Sequence, residues 1–491
     1  MLITTKILVY FALIILTSAA PMTILKPSED EFYAAPDGFE DEKLGTILKW
    51  RKTPYQIKSI YFPVNIKNSW ELLVRSEDAI GDPVAVTATI FEPYNANSSR
   101  LVSYQVAEDS PSFNCSPSYA FVGGGYPTVV TKAEMILIQS ALNEGYYVVV
   151  PDYEGPNAVF GVGVTSAMST INVLRAVLSD QRRNETRIDS DAEVVLWGYS
   201  GGTIPSSWAA SMAPWYAKDI NQHLIGAALG GWVSNLTALM EIVEGSLFEG
   251  LVPNIINGLS QQFEEINDAF DDYLYPSKRE KFRSTKKQCV FDACLSFAFQ
   301  STFLGDHPYV KGKWSVLEEA KVKNILENNT LGLKVTKKFK PEIPIFAFHG
   351  IKDEIVPFKD SQRLYDVWCE EGINSFEFAV SKSSGHLLEV VEGSGAALAW
   401  ISDRFRGIPA VKGCERKERL TNLFYPGLFS SVSNILMALI RNIMGSPIGL
   451  YDEQAKKRSG STEEEIIMKR LLEYTDEEIY RRIIETHSDM F

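Results

Sequence analysis

Histidine is scarce in this chain, with five in 491 residues, and cysteine is equally sparse at five. The cysteines (Cys115, Cys289, Cys294, Cys369 and Cys414) have no metal-ligand spacing, and no metal or organic cofactor is implied. Basic charge is also short: 48 Lys and Arg stand against 62 Asp and Glu, a net charge of −14. Such a surface repels phosphate backbones, so no nucleic acid is expected as a partner. It also argues against polybasic docking on anionic lipid, but not against contact with neutral fat. No internal repeat and no low-complexity segment is present, which sets aside solenoids and biased disordered chains.

The N-terminus has a membrane-like run, but a short one. Lys6 is followed by apolar residues from Ile7 to Leu16 and then by the small residues Thr17, Ser18, Ala19 and Ala20. That run is too short to span a bilayer and reads as a signal peptide over residues 1–20. Cleavage falls near Ala19, because Pro21 disfavours a cut directly before it. A secreted, extracellular protein with no stable transmembrane anchor is expected. Asn-x-Ser/Thr acceptor triplets at Asn97, Asn184, Asn235 and Asn328 agree with export. In an oxidising compartment five cysteines imply two disulfides and one free thiol.

Short β-type runs come first, at Tyr55–Val64, Trp70–Val74, Val84–Phe91 and Leu101–Val106, with turn signals between them. They suggest antiparallel hairpins. From Gly145 strands and helices alternate: Tyr146–Val150, a helix-like Ser166–Leu178, Val194–Trp197, another helix, then Ile225–Leu229. This rhythm predicts an α/β fold, a mostly parallel sheet flanked by helices. It breaks over 231–340, where apolar residues such as Leu239, Val243, Leu247, Leu251 and Ile255 keep helical spacing. It resumes with Ile343–Phe348, a helix near Ser361–Cys369, Phe376–Val380 and the helix Ala396–Phe405. We therefore expect an α/β domain over 21–230 and 341–415, with 231–340 inserted as a helical cap or lid. A structural helical subdomain with no role at the site is the alternative. Residues 416–491 read as a C-terminal tail with short helices, on the capping boxes Thr462/Glu465 and Thr475/Glu478.

The sharpest chemical signal is Gly198-Tyr199-Ser200-Gly201-Gly202, placed between a buried strand and a helix. That is the context of a nucleophile elbow, where a serine on a tight turn needs small neighbours two positions away, here Gly198 and Gly202. A serine needs a base. His223 precedes a strand at the wrong end of the sheet, His307 lies in the insertion, and His487 lies in the tail. His349 comes before the acid, which leaves His386, in a loop after Phe376–Val380. For the other histidines a structural or surface role is expected. The acid should follow the strand Ile343–Phe348, where Asp353 fits and Glu354 is the neighbouring alternative.

These motifs carry a family resemblance. Gly198-Tyr199-Ser200-Gly201-Gly202, Asp353-Glu354-Ile355-Val356-Pro357 and Gly385-His386 resemble the fungal secretory lipases, an α/β-hydrolase group that includes the lipase A type. Glu108-Asp109-Ser110, Cys115-Ser116-Pro117-Ser118-Tyr119 and Gly145-Tyr146-Tyr147-Val148-Val149 with Glu154-Gly155 match as well, over about residues 40–415. The resemblance implies triacylglycerol as the substrate; a serine ester hydrolase working through an acyl-enzyme, as a monomer at a lipid–water interface, is expected. The resemblance also implies an oxyanion hole from the backbone N–H groups of Asp109 and Gly201. A glycine-rich rival for the first donor is Gly123-Gly124-Gly125-Tyr126. The resemblance further suggests disulfides Cys115–Cys289 and Cys369–Cys414 with Cys294 free; the competing pairing uses Cys294 in place of Cys289. The functional alternatives are a carboxylesterase or deacetylase of a soluble ester, and a non-catalytic binding module on a hydrolase fold.

Overall fold

The computed structural model describes residues 24–449 apart from 61 and 334–338. The signal-peptide segment and the two expected tail helices lie outside the described residues. Ten strands form one sheet: β1 (Ile47–Lys52), β2 (Asn68–Glu77), β3 (Pro83–Glu92), β4 (Asn97–Gln105), β5 (Tyr146–Pro151), β6 (Glu193–Tyr199), β7 (Leu224–Gly230), β8 (Ile345–Gly350), β9 (Ser375–Ser381) and β10 (Gly413–Arg419). Their order is β1-β2-β3-β5-β4-β6-β7-β8-β9-β10. β1, β2, β3 and β5 pair antiparallel in succession, and every pair from β5/β4 to β9/β10 is parallel.

Among the described residues the helices of eight residues or more are α1 (Met135–Asn143), α2 (Gly163–Leu178), α3 (Thr203–Tyr216), α4 (Leu236–Val243), α5 (Leu251–Gln262), α6 (Glu264–Tyr273), α7 (Pro276–Arg283), α8 (Val290–Phe297), α9 (Ala320–Asn328), α10 (Phe358–Glu370), α11 (His386–Phe405) and α12 (Leu428–Ile443). Strand alternation gives the sheet two apolar faces. On β6, Val194 and Leu196 join the core shared with α2, α3, α10 and the inserted helices α4 to α9. Val195 and Trp197 join the core shared with α1 and α11. Among the described residues of 231–340 the regular elements are helices, α4 to α9 with short 3-10 turns, joined by irregular segments such as the one that carries Leu247, and their core is continuous with that of the sheet. Within that insertion Ile242 and Leu247 are exposed, whereas Leu251 and Ile255 are buried.

Four expectations need correction. Tyr55–Val64 is not a strand; the first strand is β1, at Ile47–Lys52. Pro54 precedes the run and Pro63 lies within it, and neither has an N–H to give to a ladder. Its apolar residues Ile57 and Val64 instead pin a loop, with the Val64 N–H donating to the Ile57 carbonyl at 2.8 Å. β4 does not form a hairpin with β3, but lies parallel between β5 and β6. α11 begins at His386 rather than at Ala396. Gly393, which looks like a helix breaker, is the point where the helix meets the sheet: a Cβ there would stand 2.1 Å from the Phe348 ring. Finally, the expected tail starts as structure. β10 crosses the expected boundary at 415 and pairs in parallel with β9, and α12 is tied to α1 by hydrogen bonds from Asn143 to Asn434 and from Asn434 to Glu144.

Candidate active site

Ser200 stands where β6 turns into α3. The strand ends at Tyr199, a single 3-10 turn covers Ser200–Gly202, and the helix starts at Thr203. Ser200 has a φ of +50°, a left-handed conformation that costs a side-chain-bearing residue about 1–3 kcal/mol. The surroundings enforce it. A Cβ on Gly198 would lie 2.2 Å from the Gly202 carbonyl oxygen, and one on Gly202 would lie 1.9 Å from the Gln105 carbonyl oxygen. The Thr203 hydroxyl secures the turn, donating to the Ser200 carbonyl at 2.5 Å and accepting from the Val233 N–H at 2.9 Å.

His386 is fixed by its own backbone. Its N–H donates to Glu354 Oε2 at 2.7 Å, and its carbonyl accepts from the Tyr199 hydroxyl at 2.6 Å. The ring therefore reaches out from the first residue of a helix with both neighbours held. Nε2 lies 2.9 Å from Ser200 Oγ and Nδ1 lies 2.7 Å from Asp353 Oδ2. Glu354, the alternative acid, caps this helix start and makes no contact with the ring nitrogens.

Asp353 is almost fully buried. Its Oδ1 accepts from the N–H groups of Ile355 at 3.0 Å and Val356 at 2.6 Å. Its Oδ2 faces His386 Nδ1 at 2.7 Å and His349 Nε2 at 3.0 Å. Burial pushes the carboxyl up, but the hydrogen bonds from His349 and His386 more than offset this and hold it well below the ordinary value. His349 is fully buried, so a surface role is excluded. Sequence reasoning missed its contact with Asp353; the signal was its position four residues earlier, at the end of β8.

On the other side of Ser200 lies the loop after β4. Asp109 has a φ of +51°, and its carboxyl sits against Gly201, where a Cβ would stand 1.6 Å from Asp109 Oδ1. Burial raises this carboxyl to about 7, with the charge of His386 opposing. Glu108 and Glu154 are also fully buried, and burial raises both well above the ordinary value. Glu154 lies near the N–H groups of Ser110 and Asp109, without a regular hydrogen bond to them. Asn254 of α5 holds the loop by donating to the Asp109 carbonyl at 2.8 Å. The rival Gly123-Gly124-Gly125 packs elsewhere: a Cβ on Gly123 would meet Ile24, and one on Gly124 would meet Tyr119.

Cys115 is bonded to Cys289 and Cys369 to Cys414, and Cys294 is free. Burial pushes the Cys294 thiol up to about 12, away from the thiolate form that reacts. Of the sequon asparagines, Asn97 and Asn184 are exposed and Asn235 and Asn328 are half-buried. The Asn235 side chain caps α4 and also donates to Asp360 Oδ1 at 2.9 Å. No group of three or more His, Cys, Asp or Glu among the described residues is arranged to hold a metal ion.

Residues 122–413 match the family model described as secretory lipase. Lipase 1 of Candida albicans is 44% identical over 444 residues, covering 90% of this chain and 94% of that protein. Lipase A of Arthroderma benhamiae is 34% identical over 433 residues, covering 87% and 89%. The closed-state structure of Candida antarctica lipase A superimposes with a TM-score of 0.73 at 26% identity, covering 87% of this chain and 99% of that one. A rice cell wall degrading esterase from Xanthomonas oryzae shares the fold at a TM-score of 0.55 and 16% identity, covering 74% and 99%.

Proposed function

The chain belongs to the secretory lipase family and is a lipase, a carboxylic ester hydrolase of α/β-hydrolase fold; from that premise we propose that Ser200, His386 and Asp353 are its catalytic triad, acting on triacylglycerol. The observation that carries this reading is the position of His386, bonded through one ring nitrogen to Ser200 Oγ and through the other to Asp353. Ser200 Oγ attacks the ester carbonyl while His386 Nε2 takes its proton. The tetrahedral oxygen rests on the backbone N–H groups of Asp109 and Gly201. His386 returns the proton to the departing alcohol, then activates water, and the acyl-enzyme is hydrolysed to the free acid. Asp353, held ionised by four donors, stabilises the imidazolium. One chain supplies all three groups, so a monomer is sufficient.

The insertion at 231–340 serves as the cap over the acyl site. Its helix α5 is anchored on the oxyanion loop through Asn254, and Gln261 donates to the Ala158 carbonyl at 2.7 Å. The disulfide from Cys115 ties the same loop to the start of α8. A fat surface, rather than a soluble ester, is favoured by the first turns of α11. Leu387, Leu388 and Val391 follow His386 directly and are 62%, 51% and 64% exposed, an apolar rim beside the catalytic base. Among the described residues no helix is long and apolar enough to cross a membrane. We read the protein as released to the extracellular space, with Asn97 and Asn184 the accessible glycan acceptors.

Ser200→Ala should abolish hydrolysis of p-nitrophenyl esters and of emulsified triglyceride while the melting curve stays that of the wild type. Wild-type-like turnover by the folded variant would refute the triad. Across acyl lengths, activity should extend to long chains and to emulsions; activity confined to short soluble esters would favour the esterase reading.

A further inference from the structure

Asp353 is shared by two histidines, and only one of them faces Ser200. His349 closes β8 with its ring fully buried. Three contacts fix which of its nitrogens carries the proton. Nδ1 lies 3.2 Å from the Trp232 backbone N–H and accepts from it, so Nδ1 cannot itself bear a proton. Nε2 faces two acceptors, Asp353 Oδ2 at 3.0 Å and the Val356 carbonyl oxygen at 3.1 Å, so it must bear one. His349 is therefore a neutral imidazole in the Nε2–H form, pinned from both sides. The Phe358 ring of α10 packs edge-on against it at 5.7 Å.

We propose that His349 is a positioning residue for the triad: its Nε2–H holds Asp353 Oδ2 in line for His386 and draws off part of the carboxylate charge that would otherwise fall on the His386 hydrogen bond. The proposal rests on the triad reading given above. Two donors on one oxygen restrict rotation of the carboxyl group, while the Ile355 and Val356 N–H groups restrain the other oxygen. A carboxylate that divides its charge between two donors binds each less tightly than it would bind one alone. Removing His349 leaves His386 as the sole partner of Oδ2. The imidazolium is then held more strongly, and the base must lose its proton at higher pH before it can act. The other titratable groups around Asp353 are Glu354, whose carboxylate is occupied by the His386 N–H, Glu389 of α11, bonded to Asn422, and Tyr199 of β6, which donates to the His386 carbonyl. None of these donates to Asp353.

Two amide replacements separate this role from a structural one. His349→Asn places an oxygen near the old Nδ1, keeping the acceptor for Trp232 but losing the donor; His349→Gln places an amide near the old Nε2 and restores the donor to Asp353. The test is kcat and KM for p-nitrophenyl butyrate from pH 4 to 9, on wild type, His349→Ala, His349→Asn and His349→Gln, with melting temperature recorded for each. His349→Ala and His349→Asn should lower kcat about tenfold at unchanged KM, and should move the acid limb of kcat/KM to higher pH by about half a unit or more. His349→Gln should return the limb toward wild type. If His349→Ala does not fold, the Asn and Gln variants carry the comparison. An acid limb in His349→Asn that coincides with wild type would overturn the proposal, as would losses that only follow melting temperature. His386→Ala, run in parallel, keeps the two readings apart: its inactivity upholds the triad whatever His349 does, and its wild-type turnover would overturn both.

Discussion

Two loops meet at Ser200 and treat their carboxyl groups in opposite ways. After β8, Asp353 receives four hydrogen bonds and is held ionised despite near-complete burial. After β4, Asp109 and Glu108 are as deeply buried, yet Asp109 Oδ1 and Glu108 Oε2 have no hydrogen-bond partner among the described residues. Burial raises both, Asp109 to about 7. Both sides carry carboxyl groups at similar depth. The supply of donors decides which carboxyl keeps its charge. The division suits the acyl transfer proposed above, in which an imidazolium would form beside Asp353 and an oxyanion beside Asp109. A charged acid is useful at the first place and harmful at the second.

The largest expected contrast is catalytic. Asp353→Asn should lower kcat by about 10³ to 10⁴, because the amide cannot accept from His386 as the carboxylate does. Asp109→Asn, which copies the neutral acid, should cost less than about tenfold. Steady-state rates on a short ester check both. Equal losses at the two positions would erase the distinction between the loops.

The next contrast is in stability against pH. The folded-state value of Asp109 lies above its unfolded value, so the native state binds the extra proton. Its contribution is fully present below pH ~4 and is lost as pH rises through about 7. Asp353 has the opposite sign: its contribution is complete above the unfolded value and is lost only in strong acid. Between pH 5 and pH 8 the Asp109 side therefore dominates, and it removes about 2–3 kcal/mol. Asp152 and Glu134, which burial raises to about 7 and about 8, add to the same trend. Denaturant melts should show lower stability at pH 8 than at pH 5, with a smaller drop in Asp109→Asn. A rise in stability over that range would contradict the assignment.

Much of this site was legible in the sequence, because steric demands leave few choices. Gly198 and Gly202 are required by contacts near 2 Å, so the elbow shows itself as a motif. His386 emerged because so few histidines compete with it. What stayed hidden lacked a periodic signal or looked like its opposite. β10, Gly-Cys-Glu-Arg-Lys-Glu-Arg, is an edge strand whose charged residues carry no apolar alternation. Gly393 reads as a break in α11 although the helix needs it to reach Phe348. The bond from His349 to Asp353 depends on a turn after β8 that returns the chain onto itself, and no periodicity encodes that.

The expected difference between the two sides is smallest for the disulfides, one on each side of the comparison. Cys115–Cys289 spans 174 residues and fastens the loop after β4 to the start of α8, whereas Cys369–Cys414 spans 45 and fastens β10 to α10. Serine replacement of either pair should cost about 2–4 kcal/mol, with the longer loop at the upper end. Urea unfolding of Cys115→Ser/Cys289→Ser and Cys369→Ser/Cys414→Ser measures this, and activity should suffer more in the first pair. A greater loss of activity in the second would place the more sensitive loop on the Asp353 side.

The central claim is that Ser200 is the nucleophile these two loops serve. It is tested most directly by reaction with a p-nitrophenyl alkylphosphonate, followed by peptide mass mapping. The account predicts one adduct per chain, located on Ser200, appearing in step with loss of activity and absent from Ser200→Ala. Complete inactivation with the adduct on any other residue would contradict it.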